Sequence, residues 1–241
     1  MNRPSLIVTP ALTGPVNMAI DLTLLDLACA GLGPFVRVYS WAGPWISLGY
    51  FQRARTAIDE GLAGALRVGV VGRPTGGKAL LHHRDVTYAV ALPPVHELTR
   101  LSISDSYREL CQRLIAALAS LGLEGTLGTS PEGSVDRGPA PCAAEVHIES
   151  IMVGSKKLVG SAQVRRGGAV LQHGSIPVEP PEAELIRCLE PPGFRAGRLL
   201  PGEDGDFVGW YRARTTTLRD EGCGASVARI QAAVIDRLSR L

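Results

Sequence analysis

The sequence predicts an α+β fold, and three observations carry that prediction. Leu158 to Val164 and Ala169 to Ser175 read as two strands of a hairpin turning at Arg166-Gly167-Gly168. Short strand-like runs also recur at Leu6 to Thr9, Arg67 to Val71 and Val86 to Leu92. Between them lie segments of helical period, the clearest being Ser102 to Leu121.

In chain order, Asn17 is the expected N-cap of a helix with Met18, Leu22, Leu25 and Cys29 on one face and Gly31 beyond its end. Phe35 to Trp41 and Trp45 to Tyr50 then read as an aromatic-rich hairpin across Ala42-Gly43-Pro44. Those aromatics fit either a sheet core or the lining of an apolar pocket. Ser102 and Asp105 form a capping pair, followed by an apolar face of Ile103, Tyr107, Leu110, Cys111, Leu114, Ile115 and Leu118. Gly125 to Pro141 is a long irregular loop, and Val146 to Val153 is strand-like. A short helix near Glu182 to Leu189 precedes a Pro/Gly segment, and Val227, Ile230, Val234 and Leu238 share a face of the closing helix.

A chain of 241 residues buries a full core, as one large domain or two small ones. Its hydrophobic content of 45%, its 20% of charged residues and its net charge of +2 give no global reason to expect a nucleic acid or membrane partner. The opening MNRPSLIVTP is too short and proline-interrupted for a signal peptide, so a cytoplasmic location is expected. The five cysteines, Cys29, Cys111, Cys142, Cys188 and Cys223, are odd in number and lack metal or disulfide spacing.

Candidate chemistry gathers in three places. Only three lysines occur among 25 basic residues: Lys78, Lys156 and Lys157. A lysine ammonium is a compact donor, not interchangeable with the guanidinium fork this sequence otherwise uses. Next to two of them, Gly160, Ser161 and Ala162 put small side chains inside a strand, which marks either a bulge or the close approach of a ligand. The run Gly72-Arg73-Pro74-Thr75-Gly76-Gly77-Lys78 nearly matches a phosphate-binding P-loop. However, Ala79 replaces the magnesium-binding hydroxyl, and strand follows where a P-loop opens a helix.

His82, His83 and Asp85 come next. Adjacent histidines on a strand point to opposite faces, which argues against shared metal ligation and leaves one histidine to face the glycine loop. Cys142 sits in a polar, proline-flanked loop about fifteen residues before Lys157, a setting that suits either a reactive thiol or an incidental surface one.

From about Asn17 to Pro177 the sequence resembles the lipoate-protein ligase and octanoyltransferase family. NMAIDLTLLD with VRVYSWAGPWISLGYFQ is similar to that family's opening helix and aromatic segment. RPTGGKALLHHRDVTYAV resembles its Arg-x-Ser/Thr-Gly-Gly loop and following His, and KLVGSAQVRRGGAVLQHGSI its Lys-x-x-Gly-x-Ala strand and downstream His-Gly.

The resemblance implies a mixed, largely antiparallel sheet flanked by helices, like biotin and lipoate ligases and class II synthetase cores, in a single catalytic domain over residues 1–241. It further implies that Arg73, Thr75, Gly76 and Gly77 border the acyl group or its carboxyl end, with His82 at the same rim. Lys157 would contact the carbonyl oxygen, and Gly160, Ser161 and Ala162 would let the chain lie along the strand. Cys142 would be the nucleophile that carries octanoyl from acyl carrier protein to a lysine of a lipoyl domain or glycine cleavage H protein. That reaction needs no cofactor and no metal, and a monomer is expected. Some 64 residues follow Pro177, little room for a ligase's appendage, which favours acyl transfer. The alternatives are an ATP- and magnesium-dependent lipoate-protein ligase and a carrier-to-carrier amidotransferase.

Overall fold

The computed structural model describes residues 3–128, 150–192 and 206–241. Its strands and helices are β1 (Ser5–Leu12), α1 (Gly14–Cys29), β2 (Phe35–Trp41), β3 (Trp45–Leu48), α2 (Ala54–Ala57), α3 (Glu60–Ala65), β4 (Gly69–Gly72), β5 (Leu80–His82), β6 (Asp85–Leu92), α4 (Ile103–Ala119), β7 (Thr126–Leu127), β8 (Ile151–Val153), β9 (Lys156–Arg166), β10 (Ala169–Pro177), α5 (Ala183–Arg187), α6 (Phe207–Arg214) and α7 (Val227–Leu238). Among the described residues, no helix is long and apolar enough to cross a membrane.

Seven strands form one sheet in the order β1-β2-β6-β10-β9-β8-β7, and β4-β3-β5 form a second. The large sheet is antiparallel except for the parallel β1/β2 pair. In the small sheet β3 runs parallel to β4 and antiparallel to β5. The chain is thus α+β with a mixed, mostly antiparallel sheet.

The β9/β10 hairpin forms as its turn residues dictate: Gly167 and Gly168 both hold positive φ, and pairing runs without a slip from Ala169↔Arg166 to Ser175↔Gly160. A bulge within that hairpin is excluded. The expected β2/β3 hairpin does not form. Gly43, at φ +81°, and Pro44 turn the chain out of the first sheet, and β3 finds its partners in β4 and β5 instead. Nor does Asn17 cap α1. The helix starts three residues earlier, after Thr13, with Pro15 in its first turn where a missing N–H costs nothing. No helix follows the glycine run, which leads directly into β5.

Alternation sorts β2, β6, β9 and β10 into two faces. One carries Val36, Val38, Tyr88, Val90 and Val170, covered by Tyr107, Leu110 and Leu114 of α4 and Ile230 and Val234 of α7. Two residues expected on those helices' apolar faces, Ile103 and Val227, are exposed instead, each being the first residue of its helix. The other face carries Tyr39, Trp41, Ala89, Ala91 and Leu171 beneath Met18, Leu24 and Leu25 of α1. Here the register lines up two rows, Tyr39-Thr87-Ser175-Gly160 and Arg37-Ala89-His173-Ala162. Thr87, Ala89, Ser175, Gly160 and Ala162 are small, so the face under α1 and the second sheet is a shallow floor rather than a filled core.

Candidate functional site

The site is built on that floor. A cavity of about 370 Å³, counting its mouth, is lined by Met18 of α1, Tyr39 and Trp41 of β2, His82 of β5 and Gly160 and Ala162 of β9. The expected pocket role of the aromatic segment thus falls to Tyr39 and Trp41. Trp41 stacks on the His82 ring with centroids 3.9 Å apart.

Lys157 stands beside this cavity, next to its lining residue Gly160, because β9 is irregular where it meets β8. Ile151 pairs with Val159 but Met152 with Lys157, so β9 has one residue more than its partner there. Leu158 and Val159 consequently both join the core under α4 and α7, and Lys157 comes round to the opposite face with Gly160. Its Cε and Nζ lie 3.5 and 3.8 Å from the point a Cβ on Gly160 would occupy. Lys157 is 5% exposed, a buried ammonium above a residue with no side chain. Lys156 is half-buried at the turn from β8 and lines none of the cavities described here.

The glycine loop is strapped to the end of β3. Arg73 N–H donates to Leu48 O and Tyr50 N–H to Thr75 O, each at 2.9 Å. Gly49 makes this approach possible, since a Cβ there would stand 1.8 Å from Gly77 O. Arg73 lines the cavity, but its guanidinium is occupied with carbonyls: Ser47 O at 2.8 Å, Gly76 O at 2.9 Å and Lys78 O at 2.8 Å. These bonds hold the loop in place beside the cavity. Thr75 is fully buried behind the cavity, Gly77 takes φ +90° at the turn, and Gly76 faces an outer groove.

Two Ser/Thr-His-Asp chains clamp this loop. Thr75 Oγ1 lies 2.7 Å from His173 Nε2, and His173 Nδ1 donates to Asp21 Oδ2 at 2.9 Å. Asp21 also receives the Tyr39 hydroxyl at 2.8 Å and Arg37 Nη1 at 2.6 Å, and Arg37 Nη2 donates to Asn17 Oδ1 at 2.6 Å. Burial, with Asp21 next to it, raises the Tyr39 pKa well above its ordinary value, so the phenol keeps its proton and donates.

In the second chain, Ser47 Oγ is 2.8 Å from His82 Nε2, and His82 Nδ1 is 2.8 Å from Asp85 Oδ2. Burial lowers the His82 pKa against the opposing pull of Asp85, so the ring is neutral at pH 7. A carboxylate only accepts, so Nδ1 carries the proton and Nε2 accepts from Ser47. His83 points the other way, 3.2 Å from Glu182. Among the described residues, no group of three His, Cys, Asp or Glu is placed to hold a metal.

Of the small residues in β9, Gly160 and Ala162 present the floor. Ser161 contributes backbone to the cavity, while its hydroxyl turns to the other face and meets the Tyr88 hydroxyl at 2.8 Å. Cys142 lies outside the described residues. Of the remaining thiols, Cys111, Cys188 and Cys223 are buried, and Cys29 is half-buried with Sγ 3.2 Å from Arg166 O.

Sequence reasoning missed Asp21, Arg37, Ser47 and Met18 as site residues. The signal for two of them was there: of the two carboxylates in NMAIDLTLLD, Asp21 is the one that the helical period points inward, and FVRVYSW holds a lone guanidinium at an inward position.

Comparison with known proteins places this arrangement. The chain is 34% identical over 226 residues to the octanoyltransferase LipM of Kyrpidia tusciae, spanning 91% of this chain and 80% of that one. It is 34% identical over 213 residues to the octanoyltransferase LipM of Symbiobacterium thermophilum, spanning 86% and 74%. The bipartite lipoate protein ligase of Thermoplasma acidophilum, solved in a study with its E2 lipoyl domain, superposes with a TM-score of 0.75 at 19% identity, covering 100% of this chain and 84% of that one, and so shares the fold. The lipoyl protein ligase A/B catalytic domain model matches residues 13–239, and the chain belongs to that family.

Proposed function

We propose that this protein is an octanoyltransferase of protein lipoylation, taking octanoyl from acyl carrier protein onto Cys142 and passing it to a lysine of a lipoyl domain or glycine cleavage H protein. The observation that carries this reading is the Lys157 ammonium, held over Gly160, which with Ala162 floors an apolar cavity. A fatty chain lies on that floor with its carbonyl at Lys157. The relatives named octanoyltransferase, similar over most of the chain, support the same chemistry.

In the first step the Cys142 thiolate attacks the donor thioester carbonyl, Lys157 stabilises the negative oxygen that develops, and the donor's C–S bond breaks as the carrier's thiolate leaves. In the second a lysine amine attacks the enzyme thioester and an amide forms. Thioester to amide is downhill, so the reaction requires no nucleotide and no metal.

Incubation with octanoyl-acyl carrier protein is expected to add one octanoyl group to the intact protein. Hydroxylamine removes this group, and Cys142→Ala never acquires it. An adduct that persists in Cys142→Ala, or ATP-dependent modification of a lipoyl domain by that variant, rejects the thioester route.

The cavity also sets an expectation for chain length. It shares Met18 and Arg73 with the outer groove, which runs past Tyr50, Phe51 and Gly76. Arg73 is pinned by the loop carbonyls, whereas Met18 is an unbranched thioether with three rotatable bonds, so Met18 closes the far end. Met18→Ala is expected to reduce discrimination against dodecanoyl relative to octanoyl donors by roughly tenfold, the scale of a methylene-sized change in a hydrophobic pocket. Competition between the two donors, scored by adduct mass, measures it; an unchanged ratio removes Met18 from that role.

A further inference from the structure

A second cavity, about 540 Å³ with its mouth, is lined by Lys157. Its walls include Leu80, Pro177, Tyr211 and Thr216, and it meets the acyl cavity at Leu80 and Gly160. Asp85 lines it as well. The Asp85 carboxylate receives His82 at 2.8 Å, Thr87 at 3.1 Å and Ser175, all on Oδ2. Oδ1 is buried with no hydrogen-bond partner among the described residues. A carboxylate oxygen withdrawn from water and left unpaired is costly, and a site that tolerates one has a donor still to come.

We propose that this second cavity admits the acceptor's lysine side chain and that Asp85 Oδ1 receives its ammonium. The assignment rests on the transfer reading above and adds where the second substrate enters. Apolar walls suit the four methylenes of lysine, and an anionic acceptor suits its three N–H donors. Lys157, a like charge at the same junction, favours the neutral form of the incoming amine.

The step balances as follows. The ammonium gives one proton to Asp85, and the neutral nitrogen attacks the thioester carbonyl carbon. The C–N bond forms, the C–S bond breaks, and the nitrogen's second proton goes to the departing Cys142 thiolate. Asp85 then releases its proton to water.

The test uses octanoyl-loaded enzyme discharged in parallel to an unmodified lipoyl domain and to hydroxylamine, a small amine that is already neutral at pH 7. In Asp85→Asn the ratio of the lysine rate to the hydroxylamine rate is expected to fall by about 10², the scale of a lost general base. Pro181→Trp, at the cavity's half-buried rim, is expected to lower the same ratio without altering Asp85. Both rates falling together in Asp85→Asn, or the ratio holding at its wild-type value in both variants, overturns the assignment while the transfer reading stands. Wild-type enzyme that never loads overturns both.

Discussion

Lys157→Met is expected to slow octanoyl loading by about 10²–10³-fold, the scale of removing one donor aimed at a developing oxyanion. Methionine fills nearly the same volume, so no cavity opens and the lost rate reports the ammonium. The geometry makes the loss specific to the ammonium. Lys157 reaches the cavity only because the irregular pairing opposite Ile151 and Met152 swings it onto the face with Gly160, and Gly160 has no side chain to cover it. Lys157→Arg is not expected to rescue the rate. A planar fork with five fixed donors needs space beside Gly160 that a compact point charge does not. Single-turnover loading, with the unfolding midpoint measured alongside, checks the prediction. A methionine variant within about threefold of wild type, less than 1 kcal/mol of barrier, would remove Lys157 from the chemistry.

How far the sequence revealed this site depends on the range of the interaction concerned. The β9/β10 hairpin was legible because its turn residues and its period lie within twenty positions, and Lys157 stood out because lysine is rare here. The face on which Lys157 lands was not legible. Strict alternation from Gly160 puts residue 157 on the wrong side, and only the partner strand reveals the extra residue in β9.

The same limit explains β2 and β3. Two aromatic runs across Gly43-Pro44 have every local mark of a hairpin, yet β6 and β4, which lie far along the chain, claim them for different sheets. The glycine loop was found as a motif and assigned to a ligand. Its contacts show that Arg73 and Thr75 also hold the loop itself, tied to Ser47 and to a histidine 98 residues away.

The second large effect is expected at Asp21, which contacts neither cavity. Its carboxylate and the Arg37 guanidinium are both fully buried, 2.6 Å apart, and the same carboxylate holds Tyr39 and His173. Asp21→Ala leaves Arg37 charged inside the protein with Asn17 and Thr9 as its remaining hydrogen-bond partners and the Tyr39 ring against its guanidinium, at a cost of about 3–5 kcal/mol. That is a large share of the roughly 5–15 kcal/mol that holds a domain folded. In a chain of this length it corresponds to a fall in unfolding midpoint of about 6–20 °C.

A paired replacement separates stability from positioning. Asp21→Leu with Arg37→Met removes both charges, and buried ion pairs exchanged for well-packed apolar groups lose little stability or gain some. His173 Nδ1 is still left without its acceptor, so Thr75 and the loop it anchors lose their fixed position. Denaturant unfolding is therefore expected to recover part of the lost stability in the paired variant, with the buried Tyr39 hydroxyl and His173 Nδ1 still lacking their acceptor, while octanoyl loading stays depressed. If loading returns together with stability, the Asp21-His173-Thr75 chain serves the fold alone and the glycine loop is set by its straps to β3.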